Sequence, residues 1–185
     1  DCPSAPGRKS TGERHIRVMT DVVDQATRSR MMSRIRGKDT KPEILLRKAL
    51  HARGFRYRVN VRGLPGSPDI VLPKWNCIIQ VHGCYWHRHP GCPKATMPAS
   101  NVEFWTEKFE ANVRRDRAAL ARIQDMGWRT AVVWECAIGS KVRDEIVAAL
   151  ERFLREGGHG HLEIGKDGVA IEKSRRDPVT GSLVS

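Results

Sequence analysis

Residues 66–84 read GSPDIVLPKWNCIIQVHGC, and this stretch decides the predicted fold. It contains two short apolar runs, residues 69–72 and 77–81, with a Pro- and Asn-containing connection between them. Short runs rich in Ile and Val, bounded by turn-forming residues, are typical of buried strands. We therefore predict two adjacent strands joined by a tight turn. Asp69 enters the first strand, and His82 ends the second.

A helix and a further strand are predicted upstream. Thr40-Lys41-Pro42-Glu43 is a helix start, because Thr40 can cap, Glu43 can reach back, and proline is tolerated in the first turn. Gly54 can end this helix. Residues 55–61 alternate aromatic residues and Val with Arg and Asn, which indicates a strand with one solvated face.

Downstream, the pattern changes to long helices separated by one strand. A long helix is predicted over residues 100–126, because Ser100 and Glu103 have the pattern of a capping box and Gly127 can end the helix. A strand is predicted over residues 128–134 and a last helix over residues 141–154. A strand followed by a long helix and another strand indicates a crossover. The sequence thus predicts an α/β fold with a partly parallel, mixed sheet flanked by helices.

The overall composition favours a nucleic-acid partner. The 185 residues include 33 Lys and Arg against 21 Asp and Glu, which gives a formal charge of +12. Each basic side chain that neutralises a phosphate releases a condensed counterion, so such an excess favours polyanions. Anionic membranes and acidic proteins are the alternative partners.

The distribution of residue types predicts one domain with a tail at each end. We expect a flexible N-terminal extension over residues 1–20, a domain over residues 21–165, and a flexible C-terminal tail over residues 166–185. No apolar run approaches the roughly 18 residues that span a bilayer, and the N-terminal residues lack an apolar signal region. We therefore expect a soluble, cytoplasmic protein without a membrane partner.

One set of residues has the types and spacing of zinc ligands: Cys84, His89, Cys92 and Cys136. Three cysteines and one histidine satisfy the tetrahedral preference of zinc, and four protein ligands leave no open position, so the ion would be structural. The alternative is that these residues are buried thiols in a chance arrangement. Cys77, inside a predicted strand, is expected to be a small buried hydrophobe, and Cys2 has no evident role.

An acidic site is predicted where the two central strands meet. Asp69 at the start of one strand, facing Gln80 and His82 on the next, has the layout of the PD-(D/E)xK nuclease sheet. In that sheet, acids bind a divalent metal that offsets negative charge during phosphodiester cleavage. Here Gln80 stands at the position of the second acid, and His82 stands at that of the Lys. Because Pro-Asp is also a common turn, this motif alone leaves both interpretations open.

Together, several motifs closely resemble the very short patch repair (Vsr) DNA mismatch endonucleases. They are Ser67-Pro68-Asp69, the run from His82 to His89 (HGCYWHRH), Cys92, Phe104-Trp105 and Trp134-Glu135-Cys136. The resemblance covers roughly residues 21–165. It implies a restriction-endonuclease-like fold of PD-(D/E)xK type with a structural zinc site. It also implies a nickase that cuts duplex DNA 5′ to the T of a T:G mismatch, which arises when 5-methylcytosine deaminates.

The resemblance assigns roles at the catalytic centre. Asp69 matches a metal-binding acid, and the backbone carbonyl of Val81 matches a second ligand position for Mg²⁺. His82 and His87 match two active-site histidines: His87 is the general base or positions the attacking water, and His82 supports the metal-bound water or the phosphate. Glu43 matches an acid on the first helix that approaches the site.

The resemblance also assigns the zinc ligands and the duplex contacts. The zinc ligands are Cys84, His89, Cys92 and Cys136, and the aromatic residues that push into the duplex are Tyr85, Trp86 and Trp105. A mismatch lowers the cost of unstacking, which provides a physical basis for selectivity. Met31 or Met32, in the basic segment 27–36, is a candidate wedge at the minor groove, and Lys108 is a further candidate contact.

The expected state is a monomer at nucleoid DNA, with mismatch-repair proteins and a repair polymerase as further partners.

Each assignment has a plainer alternative. His82 and His87 are otherwise structural histidines or extra zinc ligands. The alternative for Glu43 is that it serves only as the capping partner of Thr40. The alternative for Tyr85, Trp86 and Trp105 is that they are core residues, which is also what we expect of Trp128. For the whole chain, the alternatives are a related nuclease for other deformed or modified DNA and a non-catalytic, zinc-stabilised DNA-binding module.

Overall fold

A four-stranded mixed sheet forms the centre of the molecule. The computed structural model describes residues 37–157, 160–166 and 168. The strands are β1 (Ile70–Leu72), β2 (Cys77–His82), β3 (Arg129–Trp134) and β4 (His161–Ile164), and they lie in that order across the sheet. β1 pairs with β2 antiparallel, whereas β2, β3 and β4 run parallel. The predicted α/β fold with a partly parallel sheet is confirmed.

In the described part of the chain, four helices accompany the sheet: α1 (Lys41–Ala52), α2 (Val102–Asp125), α3 (Glu135–Ile138) and α4 (Asp144–Glu156). A 3₁₀ turn (Pro73–Trp75) joins β1 to β2, and α2 is the crossover between the parallel strands β2 and β3. No described helix is both long and apolar enough to cross a membrane. The predicted N-terminal extension and most of the predicted C-terminal tail lie outside the described residues.

Helix α1 begins where the sequence predicts, but its cap differs in detail. Thr40 is the N-cap residue, and its hydroxyl donates a hydrogen bond to Glu43 Oε1 at 2.6 Å instead of accepting one from the backbone. The other carboxylate oxygen of Glu43 accepts from the backbone N–H of Asp39 at 2.9 Å. Both oxygens of this buried acid are therefore tied to the start of the helix.

The predicted start of the long helix is wrong by two residues. The helix begins at Val102, and its N-cap is Asn101, in the left-handed conformation with φ of +52°. The N-cap is thus Asn101 and not the predicted Ser100, and Asn is one of the residues that tolerate this conformation. At the other end Gly127, with φ of +85°, ends the helix as predicted.

Two further predictions differ from the structure, and two short elements were not predicted. Residues 55–61 form no strand; one bridge joins Arg58 to Val71, and the positive φ of Asn60 breaks the extended run beyond it. The last helix begins at Asp144 instead of residue 141, with Asp144 and Glu145 in the first turn, where acids favour the helix dipole. Helix α3 and strand β4 were not predicted, because each is only four residues long.

The two faces of β2 point to different layers of the molecule. Successive side chains of a strand alternate between faces. Ile79 belongs to a core cluster with residues of α1 and α4, including Leu50 and Leu150. Ile78 packs against Ile123 of α2 on the opposite face. Gln80 and His82 share the face of Ile78, so both lie on the side of the sheet that α2 covers.

Candidate functional site

The four predicted zinc ligands come together at one end of the parallel strands. The register pairs His82 of β2 with Trp134 of β3, so Cys84 and Cys136, two residues beyond each, are neighbours in space. Donor atoms of all four residues, including His89 and Cys92, lie within 4.8 Å of one another. This juxtaposition follows from parallel pairing, because parallel strands end at the same edge of a sheet.

The distances in this Cys/His cluster match a tetrahedral ion. His89 Nδ1 lies 3.6 Å from Cys84 Sγ and 3.3 Å from Cys136 Sγ. Ligands about 2.0–2.3 Å from a tetrahedral ion stand about 3.5–3.8 Å apart, so one ion fits between these atoms with little adjustment. The ring of His89 also stacks on Trp134 at 4.2 Å, which fixes its orientation. Burial raises the pKa of the Cys84 thiol, and a bound cation would reverse that shift by holding the thiolate.

Asp69 directly precedes β1, and hydrogen bonds hold both its carboxylate and its backbone carbonyl. Its Oδ2 accepts from the N–H of Val81 at 2.7 Å, and its carbonyl accepts from Arg47 Nη2 at 3.1 Å. The same Arg47 nitrogen lies 3.1 Å from Glu43 Oε2, so one guanidinium links the two acids. Burial, opposed by the Val81 hydrogen bond and reinforced by Glu43, raises the pKa of Asp69 from 3.8 to about 6. A cation bound beside this carboxylate would lower the pKa of Asp69 and stabilise its ionised form.

His82 and His87 form a stacked pair beside these acids. The ring centroids lie 4.1 Å apart, with an angle of 9° between the planes. Burial, reinforced by His87, lowers the pKa of His82 to about 3, so this ring is neutral near pH 7. Because the two rings are nearly parallel, their in-plane lone pairs do not converge on one point, which argues against both histidines binding a single ion in this arrangement.

Asp116 of α2 is a site residue that the sequence reasoning missed. Its Oδ2 lies 2.6 Å from Nδ1 of His87. A carboxylate accepts at that position, so Nδ1 carries the hydrogen, and Nε2 keeps its lone pair in the neutral ring. The helical spacing from Phe109 through Asp116 to Ile123 places Asp116 on the stripe that faces the sheet. An acid on an otherwise apolar stripe is the signal that could have found it.

A cavity of about 460 Å³ joins these groups. Its lining includes Glu43, Asp69, Gln80, His82, His87 and Asp116. The predicted site residues Glu43, Asp69, His82 and His87 are therefore brought together, although they come from one helix, two strands and a loop. The arrangement provides acids that can hold a cation next to an imidazole that can accept a proton.

The predicted aromatic residues form one cluster beside the cavity. Tyr85 and Trp86 are half-buried with ring centroids 5.0 Å apart, and Phe109 lies 5.1 Å from Tyr85. Trp105 is only 7% exposed, so in the free protein it belongs to the base of the cluster. The ammonium of Lys108 lies 5.1 Å from the ring centroid of Trp105. Met31 and Met32 lie outside the described residues.

The structure is a mixed α/β fold in which an acid enters one strand of the sheet and a histidine ends the neighbouring strand. Residues 20–94 match a family model described as DNA mismatch endonuclease Vsr. The chain belongs to this family.

Several characterised relatives align along most of their length. The DNA mismatch endonuclease Vsr of Escherichia coli strain K12 is 43% identical over 149 residues, which cover 78% of this chain and 95% of the relative. The type II nicking enzyme V.XorIIP of Xanthomonas oryzae pv. oryzae is 41% identical over 137 residues, or 74% and 96% of the two chains. The type II nicking enzyme V.NmeAIP of Neisseria meningitidis serogroup A is 43% identical over 140 residues, or 75% and 96%.

Proposed function

We propose that this protein is a DNA endonuclease that nicks duplex DNA 5′ to the T of a T:G mismatch and so starts very short patch repair. The observation that carries the proposal is one cavity shared by Asp69 and the His87–Asp116 pair, directly beside an aromatic cluster. The names of the relatives, a mismatch endonuclease and several nicking enzymes, support it.

The oxygen donors of the cavity fit a hard divalent cation, which we propose is Mg²⁺. Mg²⁺ prefers carboxylate and carbonyl oxygens, and Asp69 with the carbonyl of Val81 offers both next to an unpaired amide oxygen of Gln80. When bound, the cation offsets charge on the reacting phosphate oxygens. Glu43 adds negative charge near this position and, through Arg47, holds Asp69 in place.

The histidines perform the proton chemistry in this proposal. Nε2 of His87 accepts the proton of the attacking water, and Asp116 holds the ring in the required tautomer and stabilises it when charged. His82 is neutral and buried, so it supports the His87 ring from one face and contributes a polar group next to the phosphate.

We further propose that Cys84, His89, Cys92 and Cys136 bind a structural zinc ion. Four protein ligands close the coordination sphere, which is typical of structural zinc sites. The ion would then tie the loop after β2 to the end of β3. Since this loop also carries His87, Tyr85 and Trp86, zinc would order the catalytic base and these two duplex contacts together.

The aromatic cluster is proposed to enter the duplex beside the mismatch. Tyr85 and Trp86 are half-buried, and both rings lie against the buried ring of Trp105. Lys108 contributes a positive charge next to these rings, where a phosphate or base edge could be bound. Met32 is proposed as a further wedge at the duplex.

We also propose that residues 21–165 form the endonuclease domain, that the protein acts as a monomer, and that mismatch-repair proteins and a repair polymerase are its partners.

The direct test is nicking of labelled duplexes that differ in one base pair. With Mg²⁺, we expect one nick 5′ to the mismatched T in a T:G duplex, and no cleavage of matched T:A and C:G duplexes. Flanking sequences should be varied, since the groove contacts that set the sequence preference are not assigned. Tight binding without a nick in every context would refute the nickase and favour a binding module.

Replacing Asp116 by Asn is expected to lower the nicking rate about 10–100-fold with little change in duplex affinity. The amide can donate a hydrogen bond to Nδ1 of His87 and so favour the wrong tautomer, whereas substrate contacts stay in place. Single-turnover kinetics would measure the rate and fluorescence anisotropy the affinity. Asp125→Asn, at the exposed end of the same helix, is the control. Equal loss in both variants would show that helix charge, not the His87 contact, matters.

Binding of a divalent cation is expected to weaken below about pH 6. Burial raises the pKa of Asp69 to about 6, so proton and cation compete for this carboxylate in the acid range. The apparent affinity should fall about tenfold per pH unit below this value and level off above it. In the unliganded protein, the same shift favours the folded state at low pH, and that contribution is lost as pH rises through about 6. Calorimetric titration with Ca²⁺ from pH 5 to 8 would measure the dependence, and a midpoint near pH 4 would contradict it.

A further inference from the structure

We propose that Gln80 supplies a neutral oxygen ligand to the divalent-cation site beside Asp69. This inference rests on the proposed function, since it requires a cation at Asp69. Gln80 lies within β2 and is only 6% exposed. It therefore occupies a position where an apolar residue would be the ordinary choice.

The strand register places Gln80 next to the catalytic acid. Ile70 pairs with Ile79 in the antiparallel ladder, and continuing that register by one residue sets Asp69 opposite Gln80. Opposed residues in such a ladder point to the same face, with Cβ atoms about 4.5–5.5 Å apart. His82, two residues along β2, shares this face. All three residues line the same cavity.

The carbonyl oxygen of the Gln80 side chain is buried and unpaired. Among the residues that the structure describes, Oε1 has no hydrogen-bond partner. Two other buried side-chain atoms share this state, but both are Nε atoms of arginines whose remaining nitrogens are hydrogen-bonded. Among the side chains of the described residues, Gln80 Oε1 is thus the one buried acceptor without a partner. A buried acceptor without a partner in the protein needs an explanation, and at an active site a bound ion or an ordered water would supply that partner.

The amide end of Gln80 accounts for its packing but leaves the oxygen unexplained. A Cβ on Gly66 would stand 3.0 Å from Gln80 Nε2 and 2.8 Å from the Cβ of Ala119, so the loop before Asp69 packs closely on this side chain. A methionine of similar length could fill this space without an unpaired oxygen. Packing alone therefore does not require the side-chain oxygen of Gln80, and its presence favours a role in binding a ligand.

Charge explains why an amide suits this place better than a third acid. Asp69 and Glu43 already bring two carboxylates to the cavity. Arg47 donates to the carboxylate of Glu43 and to the backbone carbonyl of Asp69. A third negative charge would repel both in the absence of a cation. An amide oxygen can coordinate a hard cation without adding charge.

The test compares two glutamine-to-methionine variants of the full, zinc-loaded chain. Mn²⁺ is titrated at pH 7.5, and unbound Mn²⁺ is measured by electron paramagnetic resonance. Gln80→Met is expected to weaken Mn²⁺ binding about tenfold or more and to raise the melting temperature by a few degrees, because an unpaired buried acceptor is removed. Gln124→Met loses a 2.9 Å hydrogen bond to Thr130, so it should lower the melting temperature and leave Mn²⁺ binding unchanged.

A third variant separates ligation from packing. Gln80→Glu restores an oxygen, so it should bind Mn²⁺ within about threefold of the original protein or more tightly, although it packs like glutamine. Unchanged Mn²⁺ binding in Gln80→Met would overturn the inference, as would Mn²⁺ binding that persists in Asp69→Asn. Failure of the proposed function would give a different result: the protein would bind Mn²⁺ through Asp69 but would nick no T:G duplex.

Discussion

Replacing Asp69 by Asn is expected to reduce nicking by about 10³-fold or more while the protein stays folded and binds duplex DNA. The amide oxygen of Asn can still accept the hydrogen bond from Val81 N–H, which is 2.7 Å long in the structure. The substitution therefore removes charge with little change in shape. What is lost is the negative charge that would hold a cation next to the reacting phosphate.

Single-turnover nicking of a T:G duplex, with enzyme in excess, would measure this effect. Zinc content, melting temperature and duplex affinity should be measured on the same preparation. Asp125→Asn is again the matched control, since this acid is exposed at the end of α2. If Asp69→Asn kept more than about a tenth of the original rate, another group would have to hold the cation.

Replacing Cys84 by Ala is expected to release zinc and to unfold much of the protein at 37 °C. Structural zinc contributes about 10–16 kcal/mol in small zinc domains, which matches or exceeds the roughly 5–15 kcal/mol stability of a whole domain. Cys84 is fully buried, and its sulfur lies against His89 and the other cysteines. Loss of this ligand would leave the loop after β2 without its main constraint. Zinc content by atomic absorption and the melting temperature would measure the outcome.

The matched control is Cys77→Ala. Cys77 is equally buried, but it lies in the apolar core of the sheet and outside the Cys/His cluster. Its replacement should cost about 1 kcal/mol, a melting shift of a few degrees, and should keep one equivalent of zinc. Similar losses in both variants would mean that packing of the sulfur, and not metal binding, explains the Cys84 result.

Much of the sheet could be predicted because its strands are apolar and bounded by turn-forming residues. The runs at residues 69–72 and 77–81 are short and rich in Ile and Val, and the crossover helix has a helical spacing of its apolar residues, so each pattern favours one structure type. Strand β4 could not be predicted, since HLEI is short and takes its extended form only by pairing with β3. Residues 55–61 show the reverse error: their alternation is typical of a strand, but β1 is three residues long and offers them one bridge.

The candidate site was predictable where residues are close in sequence and less so where they are not. His82, Cys84, His87 and His89 lie within one short segment with a distinctive spacing. Asp116 was missed, because its contact with His87 depends on how α2 lies over the sheet. The unpaired oxygen of Gln80 was also beyond sequence reasoning, since a missing hydrogen bond appears only when all neighbours are in place.

The parallel pairing of β2 with β3 has a consequence for how the protein is made. Cys84, on the N-terminal side of α2, and Cys136, on its C-terminal side, meet only when β3 has paired with β2. Synthesis proceeds from the N-terminus, so a growing chain that already contains Asp69 and His87 still lacks the strand that completes the cluster. Closing so long a loop is entropically costly and would occur late. We expect, therefore, that incomplete chains on the ribosome carry the proposed catalytic residues without an assembled site, and that DNA nicking begins only with the finished protein.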